Sequence, residues 1–352
     1  MKVTLWRDDV EILRPVRAAS EHHDVRSRLF LRLEYASVHG YGEVAPQSNA
    51  LNGDASIDEV QDELEMYVLH QLNDVIRREA TFPSWTRITR FAGSRPASAF
   101  AVALVEMAVL DRELRANDAD VRALWPARYA TPVMSTVSLL EDQSPWVIDA
   151  AAKRVRVKSA PGSLAVTDLE RLGALAVPVL LDFNCSARTP QEVLEQVRQV
   201  ARVATVAAVE QPFAAGNVVE HALLAERLGV ALSMDEGVRS TRDLEQIERY
   251  RAASMVCIKP ARVGGLANAR TMIERARELG LRPYLGGFFE SPFARGVHRI
   301  LAEHCVEEPS DVALVALAGR ESADEARSVV DGLGWEPTPA LLDGARVIWA
   351  QG

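Results

Sequence analysis

The chain has 352 residues, of which 48% are hydrophobic and 25% charged, with a net charge of −9; this length allows a large core and two domains. The negative balance argues against a nucleic-acid partner, and no uncharged apolar stretch reaches the roughly 18 residues of a membrane span. Charges in the opening MKVTLWRDDVEIL, where a signal peptide needs an apolar run, and three widely spaced cysteines (Cys185, Cys257, Cys305) without metal-knuckle spacing point to a reduced, cytoplasmic chain.

In chain order, residues 1 to about 130 read as an α+β unit. RLFLRLEYASVHGYGEVAP alternates apolar residues and reaches a glycine-rich turn, a hairpin pattern. GYGE is read as a tight turn. The glycine- and asparagine-containing PQSNALNGDASID that follows is expected to form a lid. Val60, Leu64, Val68, Leu69 and Leu72 fall at helical spacing in the next segment. A second helix, from Arg95 through RPASAFAVALVEMAVLDREL, is apolar on most sides and should be buried.

From about residue 132 short apolar strands alternate with amphipathic helices. The predicted strands are 135–140, 154–158, 177–183, 206–210, 230–235, 255–259, 282–287 and 311–317. Thr189, Pro190 and Glu192 form a helix start with a capping box; Ser240 caps another helix, and Gly280 suits a helix end. Eight strands over about 190 residues predict a parallel α/β barrel, with a doubly wound open sheet as the alternative. The division is 1–130 and 131–320, with the segment from about 320 to 352 a candidate to return to the first unit.

The strand ends carry the chemistry. Strands two to six end in Lys158, Asp182, Glu210, Asp235 and Lys259, spaced 24 to 28 residues apart, about one strand–helix unit each. In a barrel such residues converge at the C-terminal face. Each alone is more often a cap or rim charge. Together, three crowded carboxylates repel, and a divalent cation relieves that cost. Mg²⁺ suits monodentate carboxylates with room for a ligand, and Mn²⁺ is a substitute. Lysines beside such a centre are expected to have depressed pKa values and to act as bases. The layout predicts proton abstraction next to a substrate carboxylate.

With GYGEVAP, ALVEMAVLD, RVRVKSAPG, LLDFN, VEQPF, MDEGV, IKPARVGG and GGFFES in order, the chain resembles the enolase superfamily, muconate-lactonising-enzyme subgroup. It is most similar there to o-succinylbenzoate synthases, including those that also racemise N-succinylamino acids. The resemblance implies an α+β capping domain on a TIM-like (β/α)7β barrel. It implies Mg²⁺ on Asp182, Glu210 and Asp235, with Glu236 in a supporting place. Lys158 is implied as the base, and Lys259, opposite, as the stabilising cation or second base of a racemase. Asn184 is implied as a polar contact, Arg262 as a tuner of Lys259, and Gly286, Gly287 and Ser291 as lining of the turn after strand seven.

Two departures stand out. Arg156 replaces a family lysine, and is expected to hold the substrate carboxylate or to crowd the metal. ESPFARG brings Pro292 and Phe293 into the turn after strand seven, where a small turn is usual. Among other features, no histidine falls on a strand end: His22 and His23 are read as solvated, His298 as a helix residue near the barrel mouth. RVGGL (262–266) could seat an anion at a helix start. Arg154 is expected outside or below the reacting layer. The expected activity is Mg²⁺-dependent o-succinylbenzoate synthase-type dehydration on a small carboxylate. Alternatives are an N-acylamino acid racemase or another enzyme of the subgroup, and a non-catalytic barrel that binds an acidic metabolite. Homo-oligomerisation is left open.

Overall fold

The computed structural model describes residues 1–17, 22–79, 82–88, 97–125, 133–139, 146, 148–313 and 326–352. Strands β1 (Lys2–Arg17), β2 (His22–Tyr35) and β3 (Val38–Val44) form an antiparallel sheet. Ala36 and Ser37, at φ 51° and 64°, make the two-residue turn between β2 and β3. One face buries Val3, Leu5, Leu29, Leu31 and Leu33. Helices cover it: α1 (Ile57–Glu63), a π-helical turn (Leu64–Val68), α2 (Leu69–Glu79), α3 (Trp85–Ile88) and α4 (Ala99–Ala116), whereas α5 (Val121–Leu124) adds Val121 to the larger core of the second half. The first predicted helix is thus one run with a π segment inside it. As expected, α4 is buried on most sides.

GYGE is not a tight turn. It lies within β3, and its glycines let the strand press on α4. A Cβ on Gly40 or Gly42 would sit 2.3 Å from the carbonyl oxygen of Ala108 or Leu104.

The second half alternates β4 (Val133–Ser138), β5 (Ala152–Lys158), α6 (Val166–Gly173), β6 (Val179–Asp182), α7 (Pro190–Val200), β7 (Val206–Glu210), α8 (Val218–Leu228), β8 (Ala231–Met234), α9 (Thr241–Tyr250), β9 (Met255–Ile258), α10 (Leu266–Glu278), β10 (Arg282–Leu285) and α11 (Pro292–Cys305). The strands are parallel and ordered β4 to β10. Helix α7 has the predicted cap, with Thr189 accepting from the Glu192 N–H. At α9, Asp243 accepts from the backbone and hydroxyl of Ser240, and Gly280 (φ 74°) follows α10.

Of the predicted eighth strand, residues 314–317 lie outside the described residues. Its start joins the two sheet edges. The Met134 N–H donates to the Ser310 carbonyl, and the Asp311 N–H to the Leu285 carbonyl. The ring interior below the strand ends is filled by Met134, Leu180, Ala208, Met255, Cys257 and Tyr284. Beyond it come β11 (Ala326–Ser328), β12 (Trp335–Pro337), α12 (Pro339–Asp343) and β13 (Arg346–Gln351). β13 pairs antiparallel with β1, so the C-terminal segment joins the N-terminal sheet. Among the described residues, no helix is long and apolar enough to cross a membrane.

Candidate active site

The parallel register sets the site. Lys158 lies opposite Asp182 and Asp182 opposite Glu210; Glu210 lies opposite Ser233, two residues before Asp235. Asp235 and Lys259 sit one residue beyond β8 and β9, where the chain turns outward. All five residues are buried. Lys158 Nζ meets Asp182 Oδ2 at 2.6 Å, and Lys259 Nζ meets Asp235 Oδ2 at 2.8 Å. β5 and β9 are separated by three strands, so the two ammonium groups flank the carboxylates from different sides of the ring. Phe288 stacks beneath both Lys259 and Arg262, with its centroid 4.7 Å from Nζ and 5.0 Å from Cζ.

Alternation puts Arg154, Arg156 and Lys158 on one face of β5. Arg154 is at the far end, paired with Glu308 at 2.7 Å. Arg156 lies one layer below Lys158 and reaches upward. It stands 3.0 Å from Glu210, 3.2 Å from Asp311 and 4.0 Å from Asp182. Protein carboxylates hold this guanidinium, which also lines the pocket. Tyr284, fixed by Ser233, donates its hydroxyl to Glu210 Oε2 at 2.5 Å.

The depressed lysine pKa expected from the sequence is not found at Lys259. Burial pulls its pKa down, but the adjacent Asp235 carboxylate outweighs that and raises it. Glu210 is pushed up to about 8, by burial first and by Asp182 and Asp235, against Arg156. Asp235 is buried too, yet Lys259 and Arg262 hold it well below the usual range. Glu236 is raised by burial and by its acidic neighbours.

The donor set suits a hard divalent cation. Glu236 Oε2 is buried and accepts no hydrogen bond among the described residues. Glu210 Oε1 and Asp235 Oδ2 also lack one, and each instead faces a cation. Glu210, Asp235 and Cys257 place ligand atoms within 4.8 Å of one another. Asp182 is outside that group. Its oxygens are engaged by Lys158 and by the Asn184 N–H. A thiol is a softer donor than Mg²⁺ prefers, and burial raises the Cys257 pKa.

Asn184, at φ 42°, bridges Asp182 and Glu236 through its amide. Arg262 binds Asp235 and, from the loop after β3, Asp54. Gly286 admits its neighbours closely: a Cβ there would lie 2.5 Å from Cys257 Sγ. At Gly287 one would meet Glu290 at the same distance. Ser291 does not line the pocket. It caps α11 and gives its N–H and hydroxyl to Glu43. The anion seat predicted at RVGGL is filled by the protein itself, because Glu106 accepts from the Leu266 and Ala267 N–H groups. His298 is a buried residue of α11 beside Glu290, and lines a small cavity with Pro260 and Ala261, which follow the end of β9. The side chains of His22 and His23 lie outside the described residues.

Several pocket residues escaped the sequence reading: Arg26, Asp54, Thr136, Phe288 and Asp311. Cys257 and Tyr284, below the pocket, were signalled by strand alternation, each two residues before a predicted site residue. Gln211, in VEQPF, accepts from the Asp235 N–H and so fixes the neighbouring strand end.

A parallel barrel with buried ionisable residues at its C-terminal rim, fronted by an antiparallel sheet and helices, defines a two-part α/β-barrel protein. Residues 148–332 match the family described as enolase C-terminal domain-like, and the chain belongs to the enolase superfamily. It is 28% identical to an N-succinylamino acid racemase from Amycolatopsis over 316 residues, covering 85% of this chain and 82% of that protein. It is 25% identical to an o-succinylbenzoate synthase from Bacillus subtilis over 325 residues, covering 86% and 81%. The fold superimposes on an enolase-superfamily member from Listeria innocua with a TM-score of 0.81 at 18% identity, covering 99% and 97% of the chains.

Proposed function

We propose that the protein removes a proton from the carbon beside a substrate carboxylate, with Mg²⁺ as cofactor, in an o-succinylbenzoate synthase-type dehydration. The observation that carries this reading is the pair of buried lysines, Lys158 and Lys259, flanking the buried carboxylates of β6, β7 and the end of β8. Asp182, Glu210 and Asp235 would hold the cation, with Glu236 and Asn184 supporting them. Bound there, Mg²⁺ or Mn²⁺ would neutralise the substrate carboxylate and acidify its α-C–H. Lys158, steered by Asp182, takes the α-proton. It then returns a proton to the departing hydroxyl, so that water leaves and the ring becomes aromatic. Lys259, steadied by Asp235 and Phe288, sets a positive charge against the enediolate formed between these steps. The test is conversion of the succinyl-hydroxycyclohexadiene carboxylate to the aromatic product by purified protein with Mg²⁺. No turnover above that of a Lys158→Ala control would reject the dehydration.

A second reading is favoured by one feature. A one-base dehydration needs one lysine, whereas two lysines on separate strands suit two-base racemisation. The Amycolatopsis relative carries the racemase name. Incorporation of solvent deuterium into both enantiomers of an N-succinylamino acid would assign that reaction.

A further inference from the structure

The loop between β3 and α1 contributes Gln47, Leu51, Asn52 and Asp54 to the pocket wall. Ser48, Asn49, Ala50 and Gly53 are exposed, but Asp54 is buried. Its carboxylate binds Arg262 Nε at 3.0 Å and Nη2 at 2.9 Å, and Arg239 Nη1 at 2.8 Å. Arg239 also donates to the carbonyls of Asn52 and Gly53. Arg262 directs its remaining arm to Asp235, with Nη1 2.6 Å from Oδ1 and 3.2 Å from the backbone carbonyl. One buried guanidinium is therefore shared between the loop and a carboxylate of the site. Asp54 and Arg262 are 208 positions apart in sequence.

We propose that Asp54 is a positioning residue that couples closure of this loop to cation binding at Asp235, through Arg262. The inference rests on Asp235 being a cation ligand. Arg262 and a divalent cation compete for the same carboxylate. A buried guanidinium must be met by negative charge. With the loop closed, Asp54 meets it with two hydrogen bonds, and Asp235 can turn to a cation at smaller cost. With the loop open, Arg262 keeps Asp235 as its hydrogen-bonded carboxylate and opposes the cation. Closure also brings a further negative charge toward the site, which acts in the same direction. The coupling is reciprocal, so the cation must favour the closed loop by the same factor as closure favours the cation.

Two measurements test this on the full chain: Mg²⁺ affinity by calorimetry, and hydrogen exchange of the peptide covering residues 45–56 with and without Mg²⁺. Asp54→Asn is expected to weaken Mg²⁺ binding about five- to tenfold. In the unaltered protein Mg²⁺ should slow exchange in the loop, and in Asp54→Asn that slowing should vanish. Asp54→Glu should restore part of both effects, which a general loss of fold would not allow. Equal Mg²⁺ affinity in the unaltered protein and Asp54→Asn overturns the coupling, as does loop exchange that ignores Mg²⁺ in the unaltered protein. Absence of Mg²⁺ binding in the unaltered protein overturns the reading of the site, and the coupling with it.

Discussion

Arg156 is 2% exposed and stands within 4 Å of three carboxylates, Asp182, Glu210 and Asp311. Each partner is buried, so none can turn to water if the guanidinium is removed. Arg156→Leu should therefore cost about 3–5 kcal/mol, the scale for orphaning a buried ion-pair network. Arg156→Lys keeps a charge but cannot span two carboxylates with a planar fork, and should cost less. Urea unfolding of both variants checks the order; equal losses would show that charge placement is not what matters. Tyr284 acts on the same glutamate from the other side. Tyr284→Phe removes the buried hydrogen bonds to Glu210 Oε2 and Ser233 and nothing of the ring's bulk. With Glu210 as a proposed cation ligand, loss of such an outer partner is expected to lower metal affinity tenfold or more. Calorimetric titration with Mg²⁺ should show a weakening of about tenfold, with a stability loss of about 1–3 kcal/mol from the buried groups left short of a partner.

Helices α10 and α11 each begin on a glutamate from the other half of the chain. Glu106, on α4, accepts from two N–H groups of α10. Glu43, on β3, accepts from Ser291 and from the Ala294 N–H of α11. A helix start favours an anion there, yet burial dominates, and each glutamate is pushed up to about 7. The sign of the pH dependence follows. The folded protein holds these protons more tightly than the unfolded chain, whose carboxyls titrate near 4.5. Their contribution to stability is full below pH 4.5, shrinks as pH rises, and is gone above about 7. The loss is on the order of 3 kcal/mol at most for each group. Glu106→Gln keeps a hydrogen-bonding oxygen and removes the titration. Its urea stability should fall less steeply between pH 5 and 7 than that of the unaltered protein. An identical slope would show that Glu106 is ionised throughout.

The whole molecule was legible wherever the information was periodic. Five ionisable residues at near-equal intervals located the barrel rim, because one strand–helix unit repeats and every strand points the same way. The direction of the Lys259 shift was not legible, since spacing places Asp235 near the lysine but does not fix their separation at 2.8 Å. The two helix-capping glutamates, the Asp54–Arg262 pair and Asp311 were hidden for a related reason. Each joins distant segments, and a single acidic residue in a helix, strand or loop carries no local signature. The C-terminal segment shows the same limit. Trp335 packs against Gly296 of α11, where a Cβ would fall 2.3 Å from the indole, and β13 then returns to the edge of β1. That edge strand is half exposed, and Ile348 and Trp349 lean on the core of the N-terminal sheet. Deleting residues 346–352 should remove about 2 kcal/mol of apolar burial and leave β1 as an open edge prone to association. The barrel strands are not touched by the deletion. Thus the urea midpoint should fall and light scattering rise, while Mg²⁺ affinity measured at low protein concentration stays unchanged; a truncated chain that lost Mg²⁺ binding would show that the N-terminal sheet must be intact for the barrel rim to hold its carboxylates in place.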